Sequence, residues 1–589
     1  MPDTPFTPEV MQVIDAMEVR SVNYLPVVAA YCNAINLQGV VNDFVGSRMA
    51  VPPGAIVQAM VINTLNGRSP LYHIEEFMSE QDRELLLGHP YEAQDFSDTN
   101  LGRAMDAIFE AGASNLLTEI ALSACVKFGI DCSRLSYDTT SVSLWGDYRY
   151  CEEDDDEKEN TVEPEDQPAV PSSKAPRVTY GHSKDHRPDL KQVMMELLCV
   201  ERGVPICGGC LDGNSSDKTC NNKMLTRISQ LMKRHGLGAE AFAYVADSAL
   251  VTEPNLKLVG ANPFVTRLPA NFLECARAIN EAVDSGDWTE LGVLSELGSP
   301  PSRPSSNYLA AETKVVLYGR EYRAVVIHSD SHDRRMQKRL KKAIETSRER
   351  LAKLLKKQTM EYYCQADAEK AAESLRKKSD AMHTLKVMVA ESEARKPGRP
   401  PRNPEKSMRP KYTLKTEIQE NENGVQREKE LAGCFVLLTN IPAEGDGSMD
   451  AKKLFLVYKG QYGVESNFAF LKDPIIVNDM FLKKNERIDV LGCILIISLL
   501  IWRLIERSMR NYLATHGGTL PGWNRQQTER PTSYMMSTKF KGLLVIKIGG
   551  HRTIANRIGK EVLPYLVALG LNEKVFSTPG FQCKPMIKQ

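Results

Sequence analysis

Apolar positions recur at helical spacing in segments of the first 130 residues, and beyond them strand-like runs alternate with helical patterns. In GAIVQAMVINTLNG (54–67) and NLGRAMDAIFEAG (100–112) the first spacing predicts helices, and Pro52-Pro53 breaks the chain between periodic segments. RLSYDTTSVSL (134–144), rich in Thr, Ser, Val and Tyr, reads as a strand. FAYVAD (242–247) is a continuous apolar run of the length of a buried parallel strand. Strands also fit VMMELLCV, VPICGGCL, PFVTRLP and CFVLLTN, with a helix near 222–234. Strands alternating with helices predict a mixed α/β sheet. VLGCILIISLLIW (490–502) is an apolar run of 13 residues between Asp489 and Arg503. It is too short to span a bilayer and predicts a buried core helix. No internal repeat is evident.

About 190 residues separate PFVTRLP from the next chemically distinctive helix, too many for a loop, so inserted structure is expected there. Residues 333–357 carry eleven Lys and Arg against three acids, with Leu340, Ile344, Leu351 and Leu355 near helical spacing. A long helix or helical hairpin follows from that. Its basic face, including Arg334, Arg335, Lys338 and Arg339, is either a track for DNA phosphates or a solvated surface. Basic residues interleaved with Pro in 394–411 cannot form a helix. Gly398-Arg399-Pro400 looks like an AT-hook, which lays an arginine into a narrow minor groove; a plain linker is the other reading. The expected domains are a helical region at 1–130, a first half of a catalytic core at 131–267 and an insertion at 268–450. The insertion holds a basic helical segment (333–395) and the Pro/Arg-rich segment (394–411). A second half of the core at 451–515 and a C-terminal region at 516–589 complete the chain.

The strongest chemistry lies in YKGQYGVESNFAFLKD (458–473). On one continuous helix Tyr458, Gln461, Glu465 and Lys472 fall at roughly 0°, 300°, 340° and 320°, a single face beside an apolar stripe of Val464, Phe468 and Leu471. Such a face suits a polar ligand or merely solvent. Two distant aspartates alter its meaning. Asp138 and Asp247 are both expected where a strand stops and a loop begins, the place where open α/β sheets build sites. Either one alone reads more often as a turn or cap residue. With Glu465 they make a trio of hard oxygen ligands suited to Mg²⁺ or Mn²⁺, and a pair of such ions can drive phosphodiester cleavage.

At these residues the chain resembles the DDE-type insertion-sequence transposases of bacteria and archaea. It is most similar to the sixteen-thirty-four family of the insertion-sequence-four superfamily. The superfamily signature Y-(2)-R-(3)-E-(6)-K stands here as Tyr458, Gln461, Glu465 and Lys472. YGHSKDHRPDLKQV (180–193), GGCLDGNSSDK (208–218), the block from Pro531, and segments 25–45 and 96–112 resemble further family blocks. The resemblance implies an RNase H-like core (a mixed sheet flanked by helices) behind a helical N-terminal domain, with a large α+β insertion between the second Asp and the Glu. It makes Asp138, Asp247 and Glu465 the catalytic metal-binding carboxylates of two Mg²⁺ ions, for which Mn²⁺ can substitute. It places Tyr458 and Lys472 at the DNA backbone. Gln461 departs from the family's Arg and offers only a neutral hydrogen bond, so Lys459 or Lys472 would supply the charge. The implied partners are double-stranded DNA, as element ends and target, and a second copy of the chain on that DNA. No membrane and no small-molecule substrate are implied. The implied activity is cleavage and strand transfer at terminal inverted repeats. A nuclease without strand transfer and a DNA-binding derivative without catalysis are the alternatives.

A formal net charge of −1 looks wrong for a DNA partner. It is local in origin: residues 152–166 hold ten acids and one Lys, a net of −9, which leaves about +8 for the rest. This acidic, Pro-rich stretch, within 151–176, predicts a disordered loop. The 13 cysteines form no regular framework and no secretory signal is seen, so a reduced, cytoplasmic, nucleoid-associated setting is expected. A single CGGC (207–210) lacks a second pair at zinc spacing and reads as incidental.

Overall fold

In the computed structural model the described residues are 7–67, 69–146, 148, 175–234, 242–294, 306–395, 408–460, 462–473, 482–555 and 558–585. The expected acidic loop lies almost wholly outside them, as do Gln461 and Arg399. The chain is an α/β protein that divides into two compact units, residues 1–264 with 457–589, and residues 265–456.

The first unit is built around a mixed sheet. Strand β1 (Arg134–Leu144) pairs antiparallel with β2 (Lys191–Cys199), which pairs antiparallel with β3 (Pro205–Leu211). All nine residues of β2 are buried, the polar Lys191, Gln192 and Glu196 among them. Helix α1 (Asp217–Arg234) then leads to β4 (Ala243–Ala246), which lies parallel to β1 on its other side. The chain leaves this unit at Phe264, the first residue of β5 (Phe264–Arg267).

In the second unit the remainder of β5 pairs antiparallel with Cys434–Thr439, which pairs with Arg320–Ser329, then Asn307–Leu317, then Thr289–Val293. The basic segment begins as helix α2 (Asp330–Lys356). It does not stay helical to residue 395. Helix Gln365–Arg376 is followed by β6 (His383–Arg395), which pairs residue for residue with β7 (Met408–Glu420). The reason is visible in the pattern: His383, Leu385 and Val387 are buried while Thr384, Lys386 and Met388 are exposed, a period of two. Leu385, Val387 and Leu414 pack with Leu351, Ala368, Ala372 and Leu375 into a small core. The Pro/Arg-rich segment therefore starts and ends in paired strands, and its middle, 396–407, is outside the described residues.

The chain re-enters the first unit within α3 (Ala451–Lys459), begun by an Asp450 side chain that accepts from the Lys453 amide at 2.7 Å. Helix α4 (Tyr462–Leu471) follows, then α5 (Asn485–His516). The apolar run is the centre of α5. Among the described residues α5 is the one helix long and apolar enough to cross a membrane, and 89% of its most apolar window is buried within the protein. That burial explains the fate of the N-terminal region. Expected as a domain of its own, it belongs to the same compact unit, because its helices Leu25–Ala34, Pro53–Leu65, Asp98–Ala111 and Ala113–Phe128 pack around α5. The C-terminal region is tied in too, with Leu544–Ile548 pairing antiparallel with Glu18–Ser21.

Candidate active site

Parallel pairing brings the two aspartates together. Tyr137 is the register partner of Ala246, so the next residues along the two strands are Asp138 and Asp247. Registered neighbours on adjacent strands lie about 4.8 Å apart and point to the same face. Asp247 stands where β4 ends, as expected; its backbone stays extended and its Oδ1 accepts from the Ala249 amide at 3.1 Å, capping a short turn. Asp138 does not end a strand. It is the fifth residue of β1, paired with Leu197 of β2, and β1 runs on to Leu144. The strand end that exposes it is its neighbour's: β4 stops and leaves the flank of β1 open from Asp138 onward.

Two further side chains close this corner. The first residue of α1, Asp217, accepts at Oδ1 from the Thr139 hydroxyl at 2.5 Å. The Lys184 ammonium donates to the Thr139 carbonyl at 2.8 Å, the Thr139 hydroxyl oxygen at 3.1 Å and Asp217 Oδ1 at 3.3 Å. Lys184 and Asp217 belong to the quoted blocks 180–193 and 208–218, but no spacing in the sequence links them to Asp138. Burial pushes the Asp138 carboxyl from 3.8 up to about 6, and the charges of Asp247 and Asp217 add to it, against the pull of Lys184 and the Thr139 amide. Asp247 is raised too, by burial first and then by Asp217, opposed by the Ala249 amide, Lys184 and Asn221. The corner thus holds more negative charge than the Lys184 ammonium balances.

Glu465 arrives on α4, which packs on β1 and β2. One continuous helix from Tyr458 to Lys472 does not form. Helix α3 stops at Lys459, Gly460 donates to the Val457 carbonyl at 3.1 Å, and α4 starts at Tyr462. Two glycines in four residues weaken a helix, and here one is needed for contact. A Cβ on Gly463 would meet the Gly203 Cα at 3.2 Å, and Gly203 has φ +74°. The four signature side chains therefore do not share one helix face. Glu465 and Lys472 keep theirs, since they are seven residues apart and the Lys472 amide still donates to the Phe468 carbonyl at 2.9 Å.

Below that face Val464, Asn467, Phe468 and Leu471 are buried. Asn467 Nδ2 donates to the Gly203 carbonyl at 2.7 Å and to Cys199 Sγ at 3.2 Å, while Arg503 of α5 donates to Asn467 Oδ1 at 2.6 Å. Glu465 is exposed. Lys472 donates to Asp185 Oδ1 at 2.6 Å. Lys184 and Asp185, adjacent in sequence, thus tie the end of the Glu465 helix to the aspartate corner. Sequence reasoning missed Asp185, Asn467 and Arg503 in these roles. The only available signal was the Asn467 position on the apolar side of α4.

Among the described residues no three Asp, Glu, His or Cys side chains stand as a ready metal cage. Tyr458 and Lys459 are half-buried on α3, and Gln461 lies outside the described residues. In the second unit Lys338 and Arg339 are exposed on α2; Arg334 and Arg335 belong to the same helix, and Arg399 lies outside the described residues. Cys207 and Cys210 are free thiols on β3, their pKa raised by burial.

Residues 17–122 match the family described as Domain of unknown function (DUF4277). No curated protein matches the chain.

Proposed function

We propose that this chain is a DNA transposase of the DDE type, and that β1 to β4 with α4 and α5 form an RNase H-like core. One observation carries the reading. Asp138 and Asp247 sit in adjacent register at the open end of a parallel strand pair, and the helix bearing Glu465 packs on the same sheet. The donor set fits a hard divalent cation. Two crowded carboxylates with raised pKa values are short of positive charge, and a third, Glu465, is exposed on a helix that packs on the same sheet. Mg²⁺ keeps waters and takes one or two carboxylates plus phosphate oxygens, a share that two aspartates and Glu465 could supply.

Asp138 and Asp247 would hold the Mg²⁺ ions, or Mn²⁺ in their place, with Glu465 completing the set. The chemistry supplied there would be activation of a water or a 3′-hydroxyl and stabilisation of the leaving oxygen. Asn467 and Arg503 fix the bearing of α4, and Lys472 fixes its end through Asp185. Tyr458 and Lys459, half-buried at the end of α3, and Lys472 would be the phosphate contacts beside the site. Joining two element ends requires both at once, so the acting form is at least a dimer on DNA, in the cytoplasm.

The test uses the full chain with DNA carrying the inverted repeats that flank its coding region, in Mg²⁺. Cleavage followed by joining of the 3′ ends to a target is expected. Asp138→Ala or Asp247→Ala should reduce both by about a thousandfold or more while leaving end binding largely intact, because several kcal/mol of transition-state charge stabilisation is lost. Cleavage without joining would make the protein a nuclease. Binding without either would make it a DNA-binding protein that has lost catalysis.

A further inference from the structure

The proposed chemistry does not use Lys184, and its placement at the corner is specific. Its stem comes from the loop before β2, and its ammonium is held by three acceptors on two elements, the Thr139 carbonyl, the Thr139 hydroxyl and Asp217 Oδ1. Four other cations of this region are engaged elsewhere: Arg177 with Asp212, Arg187 with Asp189, Lys472 with Asp185 and Arg227 with Glu196. Lys184 is the cation whose charge acts on both Asp138 and Asp247. The Thr139 hydroxyl donates to Asp217 and accepts from Lys184, so ammonium, hydroxyl and carboxylate form a closed triangle beside Asp138.

We propose that Lys184 is the built-in counter-cation of the Asp138, Asp217 and Asp247 carboxylates, and that a divalent cation must compete with its ammonium for them. Lys184 would then set how tightly the site takes metal. This rests on the metal-site reading above. The physical argument is charge placement. Three carboxylates gathered at a half-buried corner repel one another, and an ammonium fixed by three hydrogen bonds relieves that repulsion in the metal-free protein. The same fixed charge opposes entry of a doubly charged ion. Removing it leaves the carboxylates unbalanced and the ion more strongly attracted. Asp217 acts in this scheme as a positioning residue, since its carboxylate and Thr139 hold the ammonium in place.

Free Mn²⁺ can be followed by electron paramagnetic resonance while the full-length protein is titrated without DNA, so the readout is independent of catalysis. Lys184→Gln should tighten Mn²⁺ binding by on the order of tenfold or more, the scale of a unit charge acting on a divalent ion at a half-buried site. Lys184→Arg, which keeps the charge, should stay near the wild type. In the metal-free state Lys184→Gln should melt earlier than the wild type, and Mn²⁺ should restore more of its melting temperature than it adds to the wild type. Lys184→Met serves if the amide variant does not fold. Wild-type affinity in Lys184→Gln and Lys184→Met, or weaker binding in both, would overturn the competition while leaving the metal site standing. If the wild type binds no Mn²⁺, or binds it no better than Asp138→Asn, the metal-site reading fails and the role of Lys184 fails with it.

Discussion

Two carboxylate clusters of the first unit are balanced in opposite ways. At one, Arg552 grips Asp82 with two hydrogen bonds of 2.7 and 2.9 Å and Glu84 with a third of 2.6 Å, and Lys547 stands 3.5 Å from Glu84. The Arg552 and Asp82 side chains are 3% and 5% exposed. Burial alone would raise the Asp82 pKa, yet the Arg552 hydrogen bonds, the Leu85 amide and the charges of Arg552 and Lys547 hold it below the usual range. At the other, Asp138 and Asp247 meet one shared ammonium and their pKa values rise. A planar guanidinium satisfies a carboxylate bidentately and leaves nothing for a ligand to do. The first cluster clamps the C-terminal hairpin to the N-terminal region. The second keeps unbalanced charge, which is what a cation site requires.

The comparison breaks most visibly if the clamp is opened. Arg552→Ala should destabilise the protein by about 3–5 kcal/mol, the cost of stranding a buried carboxylate, measured as a fall in the denaturation midpoint at pH 7. Loss of less than about 1 kcal/mol would mean the cluster is no tighter than a surface pair.

The two clusters should also tilt stability in opposite directions with pH. Asp82 has a folded pKa below its unfolded value of 3.8, so its contribution is present above that pH and is lost as pH falls through the folded pKa. Asp138 has a folded pKa of about 6 against 3.8, so the native state keeps the proton longer. Metal-free stability should therefore fall as pH rises from about 4 to about 6. Asp138→Asn removes that fall, and by order of magnitude it should gain 2–3 kcal/mol on the wild type at pH 8, with no gain at pH 3.5. A variant that loses stability at pH 8 would place Asp138 with Asp82 as a structural carboxylate.

The smallest effect concerns neither cluster and sharpens the contrast by locating DNA contact elsewhere. Neutralising Arg334, Arg335, Lys338 and Arg339 of α2 together should flatten the dependence of log affinity on log salt. The expected change is roughly two to four units, at about 0.9 per phosphate contact, with equal weakening on all duplex sequences. An unchanged slope would make α2 a solvated helix and turn attention to the first unit.

Much of the fold was legible because burial leaves a periodic trace. The runs around Asp138, Val193–Val200 and Asp247 gave strands, and 490–502 gave the centre of α5. The break at Gly460 was not legible as such. Helical spacing carries across Tyr458 to Lys472, and only the approach of Gly463 to Gly203, some 260 residues away, makes the interruption worthwhile. The β6–β7 ribbon was hidden by basic composition, although its alternation of buried and exposed residues was there to be read.

By itself, then, the sequence determined the local preferences: which segments are strands or helices, which helix is buried, and which residue types could meet a cation. Period and composition act over a few residues, so they can be read from a single chain. Only the tertiary structure decided that Asp138 lies beside Asp247, that Lys184 and Asp217 join them, and that Lys472 is spent on Asp185. Those pairings depend on the register of strands about 110 residues apart and on loops that return to them, and no local rule specifies register at that range.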